Sequence, residues 1–283
     1  MSSLTQSVAR HLTTIGVSGL LALAPVVGVT NVAQPAYAMT EAQAMERLNS
    51  IPVFTITDDK GAPLLAAIPQ QPNQPQEAKQ LLIFFLSPED AQATLKQIQT
   101  NNPSLGNKAR VSVLPFSQAY KVIKDNKDKT LAFRFEASRS SMESARAIIK
   151  AQGKTDKDVP PLPVFFATSG TGDKQGLLTI ESEGQQTVPF FFDQKDLQSL
   201  LDRARQQQPN LAKDTKIQVT SLFVVLDNMI TKDNKPNPDA QRFQFVPSRT
   251  AFEYVLKLSG SNPPANRPAT PAPTNRPATP APR

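Results

Sequence analysis

Few side chains in this sequence are equipped for chemistry, and their types narrow what that chemistry would be. There is no Cys and no Trp, and the single histidine is His11. A thiolate nucleophile, a zinc–thiolate centre and a disulfide are excluded, and a histidine general base is excluded wherever residue 11 is absent. Gly170-Thr171-Gly172-Asp173-Lys174-Gln175-Gly176 nearly spells a dinucleotide-binding turn. Its third glycine falls one residue late, and strand residues follow instead of a helix, so a hairpin loop is the better reading. Asp58-Asp59 offers paired carboxylates, yet Asp-Asp-Lys-Gly between two strands is ordinary turn chemistry. A serine–lysine dyad would meet only in three dimensions, and no spacing marks one. Arg139 and Arg249 each close a Phe-x-Phe-x-x-Ser-Arg run. They either grip a partner's carboxylate or follow a serine that caps the next helix, and the recurrence favours the cap. The expectation is no enzyme, no cofactor and no bound metal.

Charge and the chain ends constrain the partners. The chain of 283 residues carries 31 Lys+Arg against 24 Asp+Glu. Part of that excess sits in two segments without acids, residues 1–38 (Arg10) and 262–283 (Arg267, Arg276, Arg283). The remainder is nearly balanced and lacks the dense basic footprint of a nucleic-acid binder. Arg10, an apolar run from Leu12 to Val27 and the small residues of Ala36-Tyr37-Ala38 form a secretory leader pattern, with cleavage expected after Ala38. No other stretch approaches the roughly 20 apolar residues of a spanning helix, so no transmembrane segment is expected in the mature chain. At the other end, Asn266-Arg267-Pro268-Ala269-Thr270-Pro271-Ala272-Pro273 recurs from Asn275 to Pro282. Such a tail stays extended and solvated, either as a tether or as a tolerated linker.

The elements between these ends repeat. Ile51-Pro52-Val53-Phe54 matches Leu162-Pro163-Val164-Phe165, and Phe84, Phe85, Asp90, Gln92, Leu95, Pro103 and Leu105 meet identical residues from Phe190 to Leu211. Phe133-Arg134-Phe135 with Ser138-Arg139 faces Phe243-Gln244-Phe245 with Ser248-Arg249. Length differences fall in loops, notably 69–75 and 233–238, where insertions are tolerated. Each half reads in one order. A strand (Val53 to Thr57) pairs with a short second strand (Leu64 to Ile68, or Leu177 to Ile180). A strongly apolar strand follows (Leu81 to Leu86, or Val188 to Phe192), then a helix capped by Ser87 or Asp193. A further strand comes next (Ala109 to Leu114, or Lys216 to Val225), then a short helical piece (Ala119 to Ile123). A Phe-x-Phe strand and a helix from Ser138 or Ser248 close the half. The fold class is α+β, two duplicated pseudo-symmetric halves with a mixed sheet flanked by helices. The expected division is a signal peptide at 1–38, an N-terminal half with a leading helix at 39–153, a C-terminal half at 154–261 and a disordered Pro-rich tail at 262–283.

Apolar runs carry what functional signal remains. Phe190-Phe191-Phe192 and Leu222-Phe223-Val224-Val225-Leu226 read as buried strands, but two similar halves also leave surfaces that can bind apolar polypeptide. The leader, the Ile-Pro-Val-Phe and Leu-Pro-Val-Phe-Phe blocks and the Phe-Phe-x-Ser/Asp-x-x-Asp blocks resemble one family over about residues 40–260. It is the Tic22-like, intermembrane-space component of the translocon at the inner chloroplast envelope, with its cyanobacterial periplasmic relatives. The resemblance implies a soluble protein of the periplasm, equivalent to the intermembrane space. There it would bind unfolded or precursor polypeptides and periplasmic domains of an outer-membrane barrel assembly protein. It brings no catalytic motif. Two classes of function compete, a chaperone-like factor for translocating proteins and a scaffold for one folded partner, with a small-ligand carrier third. Candidate client contacts are Phe116, Phe223, Met142 and Phe252.

Overall fold

The computed structural model describes residues 39–68, 80–128, 130–170, 176–182, 185–207, 215–230 and 239–260. The leader at 1–38, the loops at 69–75 and 233–238 and the tail at 262–283 lie outside them, as does most of the Gly170–Gly176 loop. The first half opens with helix α1 (Glu41–Glu46), started by a reciprocal cap. The Thr40 side chain accepts from the Gln43 N–H, and the Thr40 N–H donates to Gln43 Oε1 at 2.9 Å, which satisfies two orphan groups together. Strands β1 (Pro52–Thr57), β2 (Ala66–Ala67) and β3 (Gln80–Phe85) follow, then helices α2 (Pro88–Asn101) and α3 (Pro103–Gly106). Strand β4 (Arg110–Pro115), helix α4 (Phe116–Asp125), strand β5 (Leu131–Glu136) and helix α5 (Arg139–Ala151) complete it. The second half runs β6 (Pro163–Ser169), β7 (Gly176–Leu177), β8 (Ile180–Ser182), β9 (Gln185–Phe191), α6 (Gln194–Gln207), β10 (Lys216–Ser221), α7 (Leu222–Met229), β11 (Phe243–Val246) and α8 (Arg249–Leu258).

The two sheets share one strand order and one register. The first runs β4-β1-β3-β5, and the second runs β10-β6-β9-β11. Phe54 pairs with Phe85 in one, and Phe165 with Phe191 in the other. Pro52 faces Pro115 as Pro163 faces Ser221, and Phe84 faces Phe135 as Phe190 faces Phe245. In each sheet the central pairings are antiparallel, and the closing Phe-x-Phe strand is parallel to its neighbour. All six residues of β1 are buried, as expected of an apolar strand covered on both faces.

The closing helix of each half lies on the sheet of the other. Ala145 of α5 packs with Phe165, Ala167 and Phe191 of the second sheet and with Leu197 and Leu201 of α6. The Ser141 hydroxyl donates to the Phe192 carbonyl at 2.6 Å. In return, Ala251 of α8 packs with Phe54, Ile56 and Phe85 of the first sheet. Tyr254 meets the Phe54 ring edge-on, at 5.3 Å and 87°. The opposite faces of both sheets, with α1, α4 and α7, enclose one continuous core that includes Val53, Phe84, Phe116, Val164, Phe190, Leu222 and Phe245. Met39 is buried in it and bridges to Ile230 of the second half.

Three sequence expectations change here. The strand expected from Lys216 to Val225 stops at Ser221, whose hydroxyl accepts the Phe223 N–H and starts α7. Leu222, Val225, Leu226 and Met229 then fall at helical spacing on the buried face, and that burial outweighs the strand preference of the valines. The short piece expected at Ala119 to Ile123 is a longer helix beginning at Phe116. The second strand of the first half splits its pairing. Leu64 bonds back to Ile56, while Ala66 and Ala67 pair with β3.

Candidate functional site

Two of the motifs with possible chemistry serve local structure among the described residues. The Asp58 carboxylate accepts the Lys60 and Ala62 N–H groups at 2.9 and 2.8 Å, closing the turn after β1 with Gly61 at φ 88°. The Ser-Arg pairs form one joint, built twice. Ser138 and Ser248 accept the Ser141 and Ala251 N–H groups as helix caps. The next amide, of Arg139 or Arg249, donates to a carboxylate oxygen of Asp90 (3.2 Å) or Asp196 (2.8 Å) in the first turn of α2 or α6. The repeated aspartates and the repeated Ser-Arg pairs therefore serve each other. The Arg249 guanidinium turns to Glu253 at 2.7 Å, within its own helix. Burial pushes the Asp196 carboxyl up, partly opposed by its bond from the Arg249 N–H.

Helices α1, α4 and α7 meet at one side of the shared core. Glu41 of α1 accepts from Lys124 of α4 at 2.7 Å and from the Tyr120 hydroxyl at 3.3 Å. The Lys124 ammonium holds the Glu41 carboxyl below its ordinary range, and Glu41 raises Lys124 in turn. Burial pushes the Tyr120 phenol up, reinforced by Glu41 and by the Asp227 charge on α7. These contacts fasten the first helix beside the end of α4. A hollow of about 360 Å³ between α1 and the second half is lined by Met39, Gln43, Glu46, Arg47 and Gln241. Arg47 spans it to the Gln241 carbonyl at 3.4 Å. Among the described residues no group of three metal-ligating side chains converges, and no helix is long and apolar enough to cross a membrane.

The outer face of α7 is apolar in its first turn. Phe223 is 40% exposed and Val224 50%, adjacent on a helix whose other apolar residues are buried. Asp227 and Asn228 follow one turn later, and the Asn228 amide folds back onto the Val224 carbonyl at 2.8 Å.

Of the four residues singled out from sequence, only Phe223 is on this surface. Phe116 is fully buried and stacks on Phe135 at 4.3 Å, so it is a core residue and no client contact. Met142 is half-buried against the shared core. Phe252 is half-buried beside Val113 and Val255, on a different part of the molecule. The four do not form one groove. Sequence reasoning passed over Val224, because a Leu-Phe-Val-Val-Leu run reads as a strand until the serine cap before it is recognised.

The family model described as the Tic22-like family matches residues 7–254. A chloroplastic TIC 22-like protein of Arabidopsis thaliana is 27% identical over 167 residues, 59% of this chain and 48% of that protein, so the match spans about half of the curated relative. Among solved structures, Anabaena Tic22, a protein-transport protein, matches with a TM-score of 0.64 at 24% identity, over 80% of this chain and all of that one. Tic22 from Plasmodium falciparum matches at 0.57 and 25% identity, over 76% of this chain and 96% of that one. The chain belongs to the Tic22-like family.

Proposed function

We propose that this chain is a non-enzymatic, exported polypeptide-binding factor that holds unfolded or translocating proteins in the periplasm and supports protein transport and outer-membrane protein biogenesis. The observation that carries this reading is the outer face of α7. Phe223 and Val224 face solvent where the fold demands nothing of them, and exposed aromatic and aliphatic side chains suit contacts of low sequence specificity. The leader pattern at 1–38 supports export. The protein-transport role of the Anabaena relative supports transport, and the lack of Cys and of any histidine beyond His11 supports binding over catalysis.

The small extent of that face favours a second reading, a scaffold that docks one folded domain of the outer-membrane barrel assembly machine. A client assay separates them. The mature chain should suppress aggregation of an unfolded outer-membrane barrel protein at stoichiometric ratio, and Phe223→Ser should weaken suppression without loss of fold. Absence of suppression, with tight binding to a single folded periplasmic domain, establishes the scaffold instead.

A further inference from the structure

Among the described strands of four residues or more, four stand at the sheet edges, and three have cover or a blunting feature. Strand β4 ends in Pro115 and carries the exchanged helix α8 through the contact of Val113 with Phe252 and Val255. Strand β10 begins with Lys216 and is met by the end of α5, where the Gln152 amide just past the helix donates to Gln218 at 3.0 Å. Strand β11 has four residues, with Phe243 6% and Phe245 1% exposed, and Arg242 just before it reaches the Gln186 carbonyl. Strand β5 differs. It has six residues, no proline and no break in register with β3, and its Phe133 and Phe135 are only half-buried. Natural sheets normally protect such an edge, because its unpaired amides template another strand.

The geometry of β5 says which groups point outward. Gln80 N–H donates to the Thr130 carbonyl at 3.2 Å and Leu86 N–H to the Glu136 carbonyl at 2.8 Å. In a parallel ladder this parity turns the N–H and C=O of Ala132, Arg134 and Glu136 toward β3 and those of Leu131, Phe133 and Phe135 away from it. The Leu131 N–H turns back to the Asp128 carbonyl at 3.3 Å. The outward groups of Phe133 and Phe135 have no backbone partner among the described residues. Arg134 and Glu136, exposed on one face of the strand, carry opposite charges and bias no particular sequence.

Taking polypeptide binding from the proposed function, we infer that the outer edge of β5 accepts one extended, proline-poor stretch of client chain as an added strand. A row of donors and acceptors at strand spacing is complementary to another extended backbone and to little else, and such pairing is indifferent to sequence. Phe133 and Phe135 then offer apolar contact to alternate side chains of the guest. The chain's own tail is a poor occupant, since its recurrent prolines lack the N–H groups the edge needs.

The test uses the full chain and a fluorescent ten-residue peptide of alternating Thr and Val. Binding should weaken about tenfold when alternate peptide amides are N-methylated, the loss expected when a pair of main-chain hydrogen bonds goes. Hydrogen exchange at Phe133 and Phe135 should slow when the unmodified peptide is added. Phe133→Pro removes an outward donor that β3 does not use and should weaken binding to the same extent, while Phe133→Leu should not. The methylated peptide and the exchange measurement stand even if the proline variant does not fold. Binding that ignores N-methylation and protects α7 instead overturns the edge and leaves the polypeptide-binding reading intact. Protection of the same amides without peptide, in a dimer, assigns the edge to a second copy and also overturns the inference. No peptide binding at all, with capture of a folded periplasmic domain, removes the proposed function and this inference with it.

Discussion

Helices α4 and α7 occupy the same place in their two halves, each following the edge strand that pairs with the first strand of its sheet. Their buried faces correspond residue for residue. Phe116, Ala119, Tyr120 and Ile123 meet the shared core from one side, and Leu222, Val225, Leu226 and Met229 from the other. Their outer faces have parted. Where α4 presents Ser117, Gln118 and Lys121, α7 presents Phe223, Val224 and Asp227. The fold dictates the inner set, because packing at organic-crystal density tolerates little change of volume. It leaves the outer set free, so an apolar pair kept there asks for an explanation outside folding.

The crossed helices test how far the two halves depend on each other, and they carry the largest expected effect. Removing the chain from Ser248 onward takes nothing from the first half in sequence, but it uncovers Phe54, Ile56 and Phe85 by removing α8. We expect loss of cooperative unfolding, with amide protection falling in β1 and β3 as much as in β9 and β11. Protection lost in the second half alone would break the exchange. Next in size are the matched core positions. Phe116→Ala should cost about 3–5 kcal/mol and Leu222→Ala about 2–5 kcal/mol, as for other large-to-small core changes. Urea unfolding reads both, and a near-neutral Leu222→Ala would show that α7 is not packed as its counterpart is.

The joint between helices gives a smaller effect with a sign. Ser138→Ala and Ser248→Ala should each cost about 1 kcal/mol, the usual worth of a side-chain N-cap. Asp196, whose carboxyl is raised above its ordinary 3.8 by burial, behaves opposite to most native carboxylates. The folded protein holds this proton to higher pH than the unfolded chain does. Over that interval the folded state binds more protons, so the contribution of Asp196 to stability falls as pH rises through it. Asp196→Asn removes that decline. Its stability relative to the wild type should therefore improve as pH rises through and above the ordinary carboxylate value of 3.8, measured by denaturant midpoints, and a relative loss there would reverse the assignment.

Local chemistry was legible in the sequence and distant packing was not. Ser87, Ser138 and Ser248 announced their helices, because a cap acts within four residues. The Phe blocks likewise aligned onto strands that share one register. The helix exchange left no trace, since the stripe of Ser141, Ala145 and Ile149 and that of Ala251 and Val255 look equally fit for either sheet. The strand expected through Val225 failed for a related reason. Its residues suit a buried strand by type, and only Ser221 and the spacing of the buried set mark the helix. Phe116 was misjudged as a contact because the identity of a large aromatic does not say which way its helix turns it. Exposure of Phe223 is a property of the α7 rotation, fixed by Leu222, Val225, Leu226 and Met229.

The smallest expected effect on stability is the one that decides what the divergence of α4 and α7 is for. Phe223→Ser with Val224→Gln gives α7 the first two outer residues of α4 and leaves its buried face intact. Both side chains are already substantially in water, so little apolar area is returned to solvent and the change should stay within about 0.5 kcal/mol. Serine and glutamine are each compatible with an exposed helix, and the Ser221 cap is untouched. If the apolar pair contacts clients, suppression of aggregation should fall several-fold while the thermal midpoint stays put. The reciprocal exchange, Ser117→Phe with Gln118→Val, sharpens the reading further, because it builds the same pair on α4 in the other half. Ser117 hydrogen-bonds Asn49, so that swap also removes a contact, and Gln118→Val alone serves as its control. Gain of suppression there would show that exposure alone suffices. Loss on α7 without gain on α4 would instead mean that the neighbours of α7, Asp227 among them, take part in recognition.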